Sequence, residues 1–236
     1  MSVDLDVSQA GGETSTETRE GRHDPAPAAR IVLVAVPLYA LIDTALLFLR
    51  PEFSILHNAE SDYGSSGSWA WLMDLNFLLR GLLSLAAVRA VSLATPEIDK
   101  SGRFRAGQML LVVWGVASAL LAFFPDDPLG TPMRWHGEVH LVLAFIAFFA
   151  VAVGAIVMAH ILRALPRWQS VRMPVAALPW TALVPLLLLG HAHFRQHSLG
   201  GLYEKVFLGI ELLWLFFIAL PLGTRSARQP KPRAAR

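Results

Sequence analysis

The chain has 236 residues, 54% hydrophobic and 16% charged, with a formal net charge of +2. About a quarter of residues carry charge in an average soluble protein, so the composition excludes a soluble enzyme, and the small net charge excludes a nucleic-acid partner. With no cysteine, disulfide scaffolds, Cys-ligated zinc, iron-sulfur clusters and thiol nucleophiles are excluded as well.

Residues 1–29 are polar and rich in Ser, Thr, Glu and Gly, which predicts a disordered tail. They lack the charged-then-apolar order of a signal peptide. Six apolar segments follow, at about 30–49, 68–94, 107–124, 138–162, 175–190 and 206–223. Each approaches the roughly 20 residues that cross a bilayer as a helix. Pro174, Pro179 and Pro185 mark the fifth as a bent spanning helix, whose freed backbone groups neighbouring helices must satisfy. A basic tail, 224–236, ends the chain. The expected fold is all-α: a polytopic membrane protein with six transmembrane helices in one bundle, 30–223.

Basic residues set the orientation. Fifteen of the twenty Lys and Arg fall on the two tails and the even-numbered connections, while Arg50, Arg134, Arg195 and Lys205 fall on the odd ones and Arg80 lies inside a helix. The positive-inside rule then puts both termini in the cytoplasm. Arg outnumbers Lys 17 to 3 beside much Ala and Pro, a usage typical of GC-rich bacterial genomes, so the expected location is a bacterial plasma membrane.

Polar chemistry gathers on the outer side. His57, Glu60, Asp62, Asp126, Asp127, His136, His140 and Glu204 all lie on or near odd-numbered connections. His136 and His140 are four apart, so on one helical turn they share a face. With Asp126 or Asp127 they would make a site for a divalent metal such as zinc; the other reading is a structural one, in which they cap helices and bridge loops. Asp62, His57 and Glu204 are the candidate acid or base residues beside such a metal. His191, His193 and His197 form a second outer-face cluster, either interfacial or part of a shared site.

A third group lies within the spans: Asp43, Asp74, Asn76, Arg80 and Glu211. Charges there cost about 2.5 to 3.5 kcal/mol each on insertion scales, so they should face inward and pair. Arg80 is expected to pair with Asp43, Asp74 or Glu211, as a structural clasp or as part of a functional cavity.

The stretches SDYG, NFLLRGLLS, FPDDP with HGEVH, and GLYEKVFLGIELLW together resemble the domain of unknown function 998 family of prokaryotic six-helix membrane proteins. The resemblance runs from about Val32 to Gly223 and carries over Asp62, Asn76, Gly81, Asp126, His136, Gly137, His140, Gly201 and Glu204. It implies an architecture and assigns no reaction. Three functions fit the residues: a metal-dependent hydrolase or transferase acting on a lipid or lipid-linked substrate, a non-catalytic lipid-binding or accessory scaffold, and a proton-coupled transporter. Membrane lipids are the expected partners.

Overall fold

The computed structural model describes residues 24–98, 101–127, 130–192 and 198–224. Pro25 and Pro27 open the first helix, where a missing backbone N–H removes no intrahelical bond, and the Asp24 carboxylate accepts the Ala26 N–H at 2.9 Å. Six long helices follow in order: α1 (Ala26–Leu49), α2 (Ala70–Ala94), α3 (Gly102–Leu121), α4 (Trp135–Leu162), α5 (Arg172–Ala192) and α6 (Gly200–Gly223). Two short 3-10 helices, Ser61–Gly64 and Pro166–Val171, lie in connections, and no strand occurs among the described residues.

All six stretches are long and apolar enough to cross a membrane. At 1.5 Å per residue, the 24 residues of α1 extend about 36 Å, more than the ~30 Å hydrocarbon core. The helices begin earlier than hydropathy alone implies, α3 at Gly102 and α6 at Gly200. Helical hydrogen bonding continues through polar flanks that a hydropathy window leaves out. Phe48, Phe145, Met173 and Leu187 are all more than 70% exposed, as suits side chains that face lipid.

Each helix packs on the next, and α6 closes the ring against α1 while also touching α2. Gly223 lies against Leu33 and Ala29, so the beginning of α1 and the end of α6 meet at one end of the bundle, called here the terminal end. Residues 50–69, 122–127, 130–134 and 198–199 of the connections stand at the other, the loop end.

Small residues permit the close crossings that drive association in lipid. A Cβ on Gly81 would lie 2.8 Å from both the Gly115 carbonyl and the Ala119 Cβ, which locks α2 to α3. The main core is rich in alanine at the helix contacts and is filled by Trp114, Trp168 and Trp214.

The fifth helix runs through its prolines as one element. Pro179 has no N–H for the Val175 carbonyl one turn earlier; the Trp214 indole of α6 donates to that carbonyl at 3.1 Å. The neighbour thus satisfies the group that the proline frees.

Candidate functional site

The loop end is closed by the connection between α1 and α2. Residues Ala59 to Gly64 are all buried, a run that includes Glu60 and Asp62. This segment dips into the mouth of the bundle instead of lying over it. Gly201 makes room for it: a Cβ there would collide with the Asn58 backbone. The Leu202 N–H donates to Leu56 O at 3.1 Å, and the Lys205 ammonium to Asn58 O at 2.7 Å. The Arg50 guanidinium holds the other side, donating to Glu52 at 2.6 Å and to Tyr63 O at 2.8 Å. Gly67 turns the chain back toward α2 with a φ of 93°, a conformation open to glycine at little cost.

At the bottom of the plug lies a buried polar network. The Tyr39 hydroxyl of α1 donates to the Glu60 carboxylate. Arg80 of α2 reaches the other Glu60 oxygen at 3.4 Å and the Tyr39 oxygen at 3.3 Å. Glu204 of α6 accepts the Glu60 backbone N–H at 3.1 Å. Asp43 and Glu204 also stand within electrostatic reach of Arg80. The partner of Arg80 is therefore Glu60 from the connection; among the described residues, Asp43, Asp74 and Glu211 make no ion pair with it. The charge pairing within the spans is completed by a loop, because the loop enters the bundle. Asn76 places its amide toward Tyr39 O at 3.4 Å. Asp74, half-buried in the first turns of α2, lies near Gly64.

Glu211 is fully buried two turns below Glu204 on α6, and among the described residues neither of its carboxyl oxygens has a hydrogen-bond partner. Trp114 Nε1, Ser118 Oγ, Asn76 Oδ1 and Arg80 Nε are likewise buried without hydrogen-bond partners among the described residues.

The histidines and aspartates tie the connections together. The His57 Nδ1–H donates to Ser198 O at 2.6 Å. His140 donates likewise to Phe124 O at 2.6 Å and His136 to Pro125 O at 3.0 Å, so both rings bind the end of α3 to the start of α4. Asp126 accepts the Ser61 hydroxyl at 2.8 Å, joining this corner to the plug. Asp127 accepts the Arg134 N–H at 2.6 Å and packs against Gly137, an anion at the start of α4 where the helix dipole favours one. His136 Nε2 is 3.8 Å from Asp127. Among the described residues no group of three or more His, Asp and Glu side chains could hold a metal ion. The spacing of His136 and His140 does bring them to one face, but that face meets backbone carbonyls. His191 is exposed in the last turn of α5; His193 and His197 lie outside the described residues.

Burial raises the Asp62 carboxyl above its ordinary value, against hydrogen bonds from Asn58 Nδ2 at 2.8 Å and the Ala59 N–H at 2.9 Å. Burial likewise pushes the Tyr63 hydroxyl up to about 12. The hydrogen bond from Arg50 holds exposed Glu52 below the usual range.

With this end of the molecule described, its family can be stated. Residues 33–221 match the family described as Protein of unknown function (DUF998). The chain belongs to that family. No curated protein and no solved structure matches it. In this DUF998 chain residues quoted for the resemblance have visible physical roles: Gly81 at a helix crossing, Gly137 beside Asp127, Gly201 beneath the plug, Asp62, Asp126 and Glu204 in its hydrogen bonds, and His140 on the Phe124 carbonyl. Tyr39, Asn58, Ser61 and Lys205 were not among the sequence candidates. A tyrosine in an apolar span carries no signal by itself, and Ser61 and Asn58 acquire meaning only when the loop is folded inward.

Proposed function

We propose that this DUF998 chain is a non-catalytic lipid-binding or accessory scaffold of a bacterial plasma membrane, its outer connections locked into a polar cap. One observation supports this reading above the others. The side chains with most chemical potential at the loop end are all engaged by other parts of the same cap: His57, Asp62, Asp126, Asp127, His136, His140 and Glu204. An enzyme needs a group that reaches substrate, whereas these groups reach carbonyls, hydroxyls and amides of neighbouring segments. On this reading, the sequence candidates for acid, base and metal ligand act as fasteners.

The test is a pair of variants, His136→Ala and His140→Ala, purified in detergent and examined by metal analysis and thermal unfolding. Both should unfold at lower temperature than the parent with the same metal content. A stoichiometric metal in the parent that disappears from both variants would overturn the scaffold reading in favour of the metal-dependent hydrolase or transferase.

Glu211 favours a second reading, a proton-coupled carrier. Its unpartnered carboxyl continues the line from Glu204 into the bundle, and an intramembrane ionisable group is by default a candidate for transport. Proton flux into proteoliposomes that is abolished by Glu211→Gln would establish this reading; parent protein with no flux above empty liposomes would end it.

A further inference from the structure

At the terminal end, far from the plug, a groove of about 400 Å³ opens between α3, α4 and α5. Its rim carries Arg103 of α3, His160 near the end of α4, and Arg163 just beyond it. All three are exposed, and no carboxylate is among the lining residues. Arg163 Nη2 lies 3.3 Å from His160 Nδ1. Since a guanidinium only donates, Arg163 is the donor of this contact and the His160 ring nitrogen its acceptor. The rim therefore offers two cationic forks and a ring N–H, all of them donors.

Below the rim the walls change character. Ile156, Ala176 and Trp180 line the groove. Ile156 lies about 10 Å along α4 from Arg163, and Trp180 about 12 Å along α5 from Arg172, at 1.5 Å per residue. Trp180 is 60% exposed, at a depth within a span long and apolar enough to cross the membrane. A site with cationic donors at its mouth and an apolar wall extending toward the hydrocarbon matches a molecule of the same construction. Arg forks are suited to phosphate oxygens, and basic pockets between spanning helices are suited to anionic headgroups.

We infer that this groove is a binding site for an anionic phospholipid, its headgroup phosphate held by Arg103, Arg163 and His160 and one acyl chain lying along Ile156, Ala176 and Trp180. The inference rests on the lipid-binding reading above and supplies its ligand class. A free phosphate ion would share the rim chemistry but would leave the apolar wall unused.

The test is native mass spectrometry of the full chain released from micelles containing phosphatidylglycerol or phosphatidylcholine. The parent should retain phosphatidylglycerol and not phosphatidylcholine. The double variant Arg103→Ala, Arg163→Ala should reduce the retained lipid at least tenfold, and Arg167→Ala, outside this groove, should leave it unchanged. A second variant, Ala176→Trp, keeps every rim charge and fills the wall, and it should also release the lipid. Millimolar inorganic phosphate should not displace it. Phosphatidylglycerol retained equally by folded double variant and parent, or displaced by inorganic phosphate, would overturn the assignment. If the double variant does not fold, Ala176→Trp decides: lipid retained as in the parent overturns the assignment, and lipid lost supports it. A metal found at His136 and His140 would overturn the scaffold reading and leave this outcome untouched.

Discussion

Arg80 shows how one buried side chain organises an end of the molecule. Only 2% exposed, it is held by Glu60 and Tyr39 from two other segments. Removing one partner of a buried pair typically costs about 3 to 5 kcal/mol because the other charge is left without compensation. Arg80→Ala should therefore lose about that much stability in detergent unfolding; an unchanged midpoint would mean that Glu60 is solvated and the plug loose. Asp62 offers a pH-dependent counterpart. Burial raises its carboxyl above the ordinary 3.8, so the folded protein holds this proton more tightly than the unfolded chain does. Its contribution to stability is complete below 3.8 and is lost as pH rises through the raised folded value. Asp62→Asn has no such dependence. The melting temperature of the variant relative to the parent should climb as the pH rises above 3.8, and a difference that does not change with pH would contradict this account.

Among the elements, the connection 50–69 departs most from its appearance in the sequence. Its polar letters suit a surface loop, yet the 3-10 helix Ser61–Gly64 is buried throughout. What permits this is steric. Gly201 leaves the space that the Asn58 backbone fills, and hydrogen bonds from Leu202 and Lys205 fasten the approach. Gly201→Ala should force the start of α6 away from the loop, at about 1 to 3 kcal/mol as for an overpacked core. Amide hydrogen exchange should then accelerate through residues 54–65 with little change in α3 and α4. Uniform acceleration would show that Gly201 supports the whole bundle and not this contact. The fifth helix shows the complementary case: its prolines were legible in the chain, but the Trp214 indole that serves the Val175 carbonyl was not. A donor 39 positions from the carbonyl it serves has no local pattern; only the packing of α6 on α5 supplies it.

For the molecule as a whole, six spans place both ends of the described chain on one side, with most basic residues there too. By the positive-inside rule that side is expected to be the cytoplasmic one. Reporter fusions after Gly223 and within residues 64–68 should read cytoplasmic and periplasmic respectively; the reverse pattern would place the plug inside and the phospholipid groove in the outer leaflet. The sequence by itself determined that this is a membrane protein of six helices, because a bilayer demands long apolar runs whatever their partners. It also placed the polar residues at one end, since charge and hydropathy are properties of composition along the chain. Only the tertiary structure decided what those residues do. Glu60 and Arg80 are 20 positions apart, and Glu60 and Glu204 are 144 apart. Their meeting depends on how a loop enters the ring of helices, a matter of three-dimensional space with no periodicity to record it. For the same reason the four-residue spacing of His136 and His140 is legible in the chain, while the Pro125 and Phe124 carbonyls that meet their Nδ1 atoms are not.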